Sequence, residues 1–183
     1  MTVRAHKPEF NFREKLKELD YSQLPYEKIA PGAVVQTVFA FAPVSGGSEN
    51  ETTSSSYVDA NITKFDFTPR FIDSKIVLQW YIQTKMTDSD SSYQYIRCRK
   101  TINGVETDAG TGEGGQLMFQ GNIGGGNHVA YGPISIALVD TPRTISTIEY
   151  KLQQKRAGDS QTVRIGENGQ NNELLCIAME IRQ

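Results

Sequence analysis

The sequence predicts an all-β domain, a jelly-roll-like antiparallel β-sandwich that follows an N-terminal arm with one short α-helix. From residue 33 onward, short segments alternate apolar and polar residues with the period of half-buried strands, and no helical period separates them. The stretches between these segments are rich in Gly, Ser, Thr and Asn, and eight of the 16 glycines lie between Gly110 and Gly126. Short strands joined by long polar loops are typical of sandwiches and jelly rolls.

The length and charge of the chain limit its classes of function. The 183 residues suffice for one domain with an additional arm. The net charge is −2, from 19 Lys and Arg against 21 Asp and Glu, which argues against nucleic-acid binding. No apolar run reaches about 18 residues, and the N-terminus lacks the apolar segment of a secretory signal. We therefore expect no nucleic-acid partner and no insertion into a membrane.

Residues 1–31 have a pattern of their own. Asn11 is a good helix N-cap, and Glu14 three residues later completes an approximate capping box. The apolar residues that follow share one helical face: Phe12, Leu16 and Leu19. A helix of about ten residues is marginal alone in water, so it must dock on another surface.

The sequence leaves two surfaces open for this helix, the sheet of its own domain and another chain. Pro25 and Pro31 bracket the stretch after the helix, and Gly32 ends it. This stretch has the composition of a linker that separates the helix from the domain, which favours docking on another chain. We therefore divide the protein into an anchoring arm, residues 1–31, and a β-sandwich domain, residues 32–183.

About nine strands are expected after the arm. They are residues 33–41, 57–67, 74–82, 93–101, 115–120, 132–140, 146–154, 162–165 and 173–181. The third is the clearest, because alternate apolar residues share one face: Ile76, Leu78, Trp80 and Ile82. Val77 and Tyr81 make its opposite face partly apolar, which predicts a central strand or a contact between subunits. Asn103 and Gly104 tolerate positive φ and predict a hairpin turn.

Three motifs with binding or catalytic potential do not fit their context. Residues 110–115 match G-x-G-x-x-G, but a strand rather than a helix follows, and an acidic residue within the motif would repel a phosphate. Asp88 and Asp90 resemble half of a calcium loop that lacks its central glycine and its final glutamate. Glu106 and Asp108 lie in a loop-like stretch, where solvation explains them better than glycosidase chemistry. We expect no enzyme, no metal site and no cofactor.

The cysteines and tyrosines have structural interpretations beside functional ones. Cys98 and Cys176 lie in apolar-alternating segments, which favours two buried free thiols over a disulfide, and with the two histidines they make no zinc-ligand spacing. Aromatic residues on strands serve cores, interfaces and binding faces alike. A ligand face and an oligomer contact are equally good interpretations of Tyr81, Tyr93, Tyr95, Tyr131 and Tyr150.

The arm contains the motif Lys7-Pro8-x-Phe10-Asn11-x-Arg13-Glu14-Lys15-Leu16-x-Glu18-Leu19-Asp20. This motif resembles the N-terminal segment of tail-fibre and other appendage proteins from phages of marine bacteria and cyanobacteria, where it precedes unrelated distal domains. The resemblance implies that residues 1–31 attach the chain to other virion proteins. The candidate anchoring residues are Phe10, Phe12, Arg13, Leu16 and Leu19.

The domain resembles a β-rich class of phage virion proteins in the order of its motifs. These are Gly32-Ala-Val-Val-Gln36, Ser55-Ser56-Tyr57-Val58-Asp59, Thr68-Pro69 with Ser74-Lys75-Ile76-Val77-Leu78, Leu138-Val-Asp140-Thr141-Pro142 with Thr147-Ile-Glu-Tyr150-Lys151-Leu152-Gln153, and Ile177-Ala-Met179-Glu180-Ile181. Val139 is an insertion relative to the fourth pattern. The resemblance implies a homotrimeric virion structural protein and carries over no catalytic residue.

The expected function is that of a short trimeric tail fibre or appendage in the virion, assembled in the host cytoplasm, whose outward domain attaches to a host-surface glycan or protein. The absence of a cysteine framework agrees with assembly in a reducing compartment. Loops on a rigid scaffold carry recognition, so the candidate recognition residues lie in or beside predicted loops: Asp88, Asp90, Tyr93, Asn122, Asn127, His128 and Asn168. One alternative is a capsid decoration or head-fibre protein, which the short length favours. A more remote one is a carbohydrate-binding or glycan-cleaving sandwich.

Overall fold

The computed structural model of the chain describes residues 29–43, 50–88, 92–110, 117–121, 128–157, 162–166 and 173–183. The arm before residue 29, with its predicted helix, lies outside these ranges. The described residues form eleven strands: β1 (Val34–Pro43), β2 (Glu51–Thr52), β3 (Val58–Phe67), β4 (Lys75–Asp88), β5 (Ser92–Ile102), β6 (Val105–Asp108), β7 (Leu117–Gly121), β8 (His128–Asp140), β9 (Ile148–Ala157), β10 (Thr162–Ile165) and β11 (Glu173–Ile181).

The strands form two antiparallel sheets with the strand order of a jelly roll. The first sheet has the order β1-β11-β4-β8, and the second has the order β3-β9-β5-β7. The chain crosses between the two sheets at each step along these eight strands, except between β5 and β7, which are neighbours. Two short strands, β10 and β2, extend the first sheet beside β4, and β6 pairs with β5 in the second. The predicted all-β sandwich is therefore confirmed.

All nine predicted strands are present, and the differences lie in polar segments. β4 continues beyond the predicted 74–82 to Asp88, because Thr84 and Met86 keep the inward alternation and are buried. β2 and β6 were not predicted. Placing Glu106 and Asp108 in a loop was wrong, because both lie in β6, which pairs with β5.

The core between the sheets contains the residues that alternation predicted. Ile76, Leu78, Trp80 and Ile82 all point inward from β4, which is the central strand of the first sheet. Phe65 packs between the two sheets, with its ring centroid 6.0 Å from that of Trp80 and 5.7 Å from that of Tyr150. Burial of such large apolar side chains is the main favourable contribution to the stability of the sandwich.

One end of the sandwich, which we call the base, carries the entry of the arm and the C-terminus. The amide of Gly32 donates to the carbonyl of Arg182 at 2.9 Å, and the amide of Arg182 donates to the carbonyl of Ala33 at 3.1 Å. The predicted hairpin turn lies at the same end, with positive φ at Asn103 (51°) and Gly104 (78°). The arm therefore leaves the domain beside its last residues.

A buried carboxylate holds the base together. Glu180 of β11 accepts hydrogen bonds from Ser74 Oγ at 2.7 Å, from Gln36 Nε2 at 2.6 Å, and from the amides of Arg70 and Phe71 at 3.0 Å. It thereby joins β1, β11 and the connection between β3 and β4. Hydrogen bonds to an ionised group are worth about 1.5–3 kcal/mol each, so Glu180 is a strong local support.

A second buried carboxylate joins the two sheets nearby. Asp140, the last residue of β8, accepts from Lys100 Nζ at 2.6 Å, from Tyr150 Oη at 2.8 Å and from the amide of Gly110 at 2.9 Å. Burial raises the pKa of Tyr150 far above its ordinary value, and the charge of Asp140 adds to this effect. The phenol therefore stays protonated and remains a donor. A Cβ at Gly110 would lie 3.1 Å from the carbonyl oxygen of Val139, and φ there is +77°, so glycine suits this position.

Both cysteines are free and buried in the core, as predicted. Burial raises the pKa of the Cys98 thiol, which lies in β5 and faces the core. Burial likewise raises the pKa of Cys176 on β11. Thiols that stay protonated and enclosed are poor nucleophiles, so both act as small apolar core residues.

Candidate functional site

The end of the sandwich opposite the base, which we call the loop end, gathers three of the predicted recognition residues. Asp88 is the last residue of β4, and it pairs in register with His128, the first residue of β8. Tyr93, the second residue of β5, lies between Gln120 of β7 and Ala157 of β9. Assigning Asp88 and His128 to loops was therefore wrong, because each lies in a strand at its loop-end terminus, whereas Tyr93 lies in the predicted strand 93–101. The other four, Asp90, Asn122, Asn127 and Asn168, lie outside the described residues, as do all five candidate anchoring residues.

Strand termini from both sheets meet at the loop end. The register pairs Thr87 with Thr162 and Ser92 with Gly121, which aligns the termini of β4 and β10 in the first sheet and of β5 and β7 in the second. Three residues, 89–91, connect β4 to β5 across the two sheets, so these termini lie at the same end. The chain segments 89–91, 122–127 and 158–161 all begin and end there. Six strand termini therefore support one composite surface.

A ring of buried polar side chains closes the core below this surface. Gln94 Nε2 donates to Gln154 Oε1 at 2.7 Å and to the carbonyl of Arg164 at 3.4 Å. Gln154 Nε2 donates to the carbonyl of Asn50, and the guanidinium of Arg164 pairs with the carboxylate of Glu51, the next residue along the chain from Asn50. The ring thus joins β2 and β10 of the first sheet to β5 and β9 of the second.

Three buried atoms of this ring have no partner among the described residues: Asn50 Oδ1, Gln94 Oε1 and Arg164 Nε. Buried polar groups are rarely left without a hydrogen bond, because each such group loses its hydration without compensation. The three atoms comprise two acceptors and one donor. A group that both donates and accepts, such as a water molecule or a hydroxyl group, has the complementary chemistry.

A cluster of cations and tyrosines lies on the outer face of the second sheet, toward the loop end. The guanidinium carbon of Arg97 lies 4.0 Å from the ring centroid of Tyr57. Lys155 Nζ lies 4.5 Å from the same ring and 5.1 Å from that of Tyr95. Flat aromatic and charged groups of this kind are common in surfaces that bind other molecules.

The five tyrosines of the sequence do not form one face. Tyr93 and Tyr95 lie on the outer face of the second sheet, whereas Tyr81 lies on the outer face of the first. Tyr150 is buried in the core beside Asp140. The side chain of Tyr131 lies outside the described part of the chain. An aromatic binding face is therefore limited to the second sheet.

An ion network covers the same outer face closer to the base. Lys151 Nζ lies 2.6 Å from Asp59 Oδ2 and 2.5 Å from Glu106 Oε2, and Arg99 pairs with both Glu106 and Asp108. Hydrogen bonding by Lys151, against the opposing effect of burial, holds the pKa of Glu106 below its usual value of 4.5. Burial acts to raise the pKa of Asp59, but its bonds to Lys151 and Gln153 outweigh burial and lower it. These carboxylates are engaged by cations, which suits a structural role.

This network makes stability depend on pH. Both carboxylates have folded-state pKa values below their unfolded ones, so their contribution is present above the unfolded values and is lost as the pH falls through the folded values. Lys151→Met is expected to lower the free energy of unfolding by about 2 kcal/mol at neutral pH, since it removes the ion-pair partner of Asp59 and leaves Glu106 with Arg99 alone. The difference in the free energy of unfolding between Lys151→Met and wild type should decrease below about pH 4, as the carboxylates become protonated.

Urea unfolding measured from neutral to acidic pH checks this expectation. The matched control is Lys64→Met, because Lys64 is more exposed and lies 3.9 Å from its partner Glu149. This control should change stability by less than about 0.5 kcal/mol at any pH. A deficit of Lys151→Met that stays constant into acid would show that packing, rather than ion pairing, is the role of Lys151.

The described residues contain no group of three or more His, Cys, Asp and Glu that could hold a metal ion. Within the same part of the chain, no helix has the length and apolarity needed to cross a membrane. The strand order and the two distinct ends define an all-β protein of the jelly-roll type. Comparison with protein-family models and with curated proteins gave no match.

Proposed function

We propose that this chain is a phage virion structural protein, a short trimeric tail fibre or appendage. Its arm, residues 1–31, anchors it to other virion proteins, and its sandwich domain attaches to a glycan or protein on the host surface. It acts as a binding protein without enzymatic turnover. The motifs of the arm and of the domain support the virion assignment.

The observation that carries the proposal is the separation of the two ends of the domain. The arm enters at the base, beside Arg182, whereas Asp88, Tyr93 and His128 lie at the loop end. β4 joins the two ends and has 14 residues, which corresponds to about 45 Å at 3.3 Å per residue. A domain held at its base therefore presents its loop end away from the particle, where a host surface is met.

The cluster of Tyr57, Tyr95, Arg97 and Lys155 suits a sugar or an acidic group at this end. Aromatic rings stack on apolar faces of sugars, while the cations bind anionic substituents. These exposed aromatic and charged groups favour a host glycan over an apolar ligand.

A capsid decoration or head-fibre protein is the second candidate. The specific observation in its favour is that the described residues from Val34 to Ile181 form one sandwich and contain no fibre shaft. The number of copies in purified particles separates the two candidates. A tail appendage is present in at most a few dozen copies, and a decoration protein is present in hundreds.

Deleting residues 1–31 is expected to leave a folded domain that no longer joins the particle. The base contacts of Gly32 and Ala33 with Arg182 remain in this variant, so the fold should persist. Incorporation is measured by quantitative mass spectrometry of purified particles, and folding by circular dichroism. Normal incorporation of the truncated chain would contradict the anchor.

A matched pair of point variants sharpens this test. Leu16→Gln removes an apolar residue from the predicted helical face, whereas Lys17→Gln changes its charged side. We expect Leu16→Gln to reduce incorporation about tenfold or more, because it places an amide where the proposed docking requires an apolar side chain. The Lys17→Gln variant should incorporate normally. Equal behaviour of the two variants would exclude docking through the apolar face.

A further inference from the structure

The two outer faces of the sandwich differ in chemistry. The outer face of the second sheet carries the ion network around Lys151. The outer face of the first sheet instead presents apolar side chains, which we call the apolar face: Phe39, Val77, Tyr81, Val139, Ile177 and Met179. The solvent side of an antiparallel sheet is ordinarily polar, so this face is unusual.

The register makes these residues neighbours. Phe39 of β1 pairs with Ile177 of β11, and Val77 of β4 pairs with Met179 on one side and with Val139 of β8 on the other. The apolar face therefore runs across all four strands without a charged residue in its centre, where the polar residue Gln79 lies between Ile177 and Ala137. Phe39 is 58% exposed, Val139 47% and Tyr81 42%. Exposed apolar surface that is continuous over several strands marks a contact with another molecule.

The extent of the apolar face suits the centre of a protein interface. Four strands about 4.8 Å apart and seven residues at about 3.4 Å each give roughly 19 by 24 Å, or about 450 Å². A standard interface buries about 800 Å² per partner, with an apolar centre and a polar rim. Lys75 lies at the base end of the face and Lys85 toward the loop end, so these charges are confined to its margins.

We propose that the apolar face is the contact between copies of this chain, packed around a rotation axis that runs along the strands. An identical copy supplies an equally apolar surface of matching size. An axis along the strands places the base of every copy on one side, so that all arms leave together. The direction of the axis rests on the proposed function, whereas the contact itself does not.

A pair of valine variants tests the contact. Val139→Glu places a carboxylate in the apolar face, while Val105→Glu makes the same change on β6 of the second sheet, where Val105 is 65% exposed. The masses of full-length wild type and both variants are measured by light scattering and sedimentation at tens of micromolar. Thermal melting followed by circular dichroism establishes that each is folded. Tyr81→Lys is a second variant of the apolar face, in case Val139→Glu does not fold.

Wild type and Val105→Glu are expected to have a mass that is a multiple of 20.4 kDa. Val139→Glu and Tyr81→Lys should weaken association about 100-fold, because each buries an unpaired charge. A monomeric wild type, or folded face variants that keep the wild-type mass, would overturn the proposal. These measurements need no virus, so their outcome is independent of whether the arm joins a particle.

Discussion

Glu180→Gln is expected to lower the free energy of unfolding by about 3 kcal/mol, a large effect for the replacement of one oxygen atom by an NH₂ group. The carboxylate of Glu180 is fully buried and accepts from four groups, two of which are backbone amides. An amide has one acceptor oxygen in place of two, and its NH₂ group would point at donors. At least one buried donor then loses its partner, and the advantage of an ionised acceptor is lost as well.

Thermal and urea unfolding measure this effect. For a domain of this size, about 3 kcal/mol corresponds to a decrease in Tm of roughly 10 °C. The control is Glu149→Gln, the same substitution at an exposed carboxylate 3.9 Å from Lys64, and it should change stability by less than about 0.5 kcal/mol. If both variants melt alike, the connection between β3 and β4 does not depend on Glu180.

Asp140→Asn is expected to destabilise the domain by about 3–4 kcal/mol, because it leaves the Lys100 ammonium without its anion inside the protein. Lys100 Nζ lies 2.6 Å from Asp140, whose side chain is 2% exposed. The isosteric amide keeps the shape of the site and retains an acceptor for Tyr150 or Gly110. The loss of stability therefore measures the removal of the negative charge, because the substitution creates no cavity.

A double-mutant cycle separates charge pairing from packing at this site. Lys100→Met combined with Asp140→Asn removes both charges, so the double variant should be more stable than the sum of the single changes predicts, by about 1–2 kcal/mol. Asp66→Asn, at an exposed position of β3, serves as the control and should be neutral within about 0.5 kcal/mol. Additive effects would mean that Lys100 and Asp140 act independently.

Much of the fold follows from alternation within single segments. In β4, every second residue from Ile76 to Ile82 was expected inside and is buried. The same rule places Glu180 inward beside Ala178. Alternation alone therefore predicts that this carboxylate is buried. Alternation does not say what satisfies such a group, because its donors come from a connection more than 100 residues earlier in the chain.

The unpredicted strand β6 and the buried polar ring around Gln94 show why the other parts of the fold could not be predicted from the sequence. β6 is formed by Val-Glu-Thr-Asp, a composition read as a loop, and it becomes a strand because Arg99 and Lys151 neutralise its carboxylates. Gln94 and Gln154 lie at buried positions of two strands that are distant in sequence. Their pairing depends on the strand order, which no local pattern encodes. Asp88, Tyr93 and His128 lie at one end of the sandwich because strand termini border loops.

The pairing of β1 with β11 has a consequence for biosynthesis. Among the described residues, β11 is the only strand that pairs with β1, and Phe39 pairs with Ile177, which is synthesised 138 residues later. The ribosome must therefore add all the intervening strands before Phe39 and its neighbours gain a partner. Until then, a nascent chain leaves the hydrogen-bonding edge of β1 open to chaperones and proteases. Synthesis of β11 thus completes the first sheet late in translation of this domain.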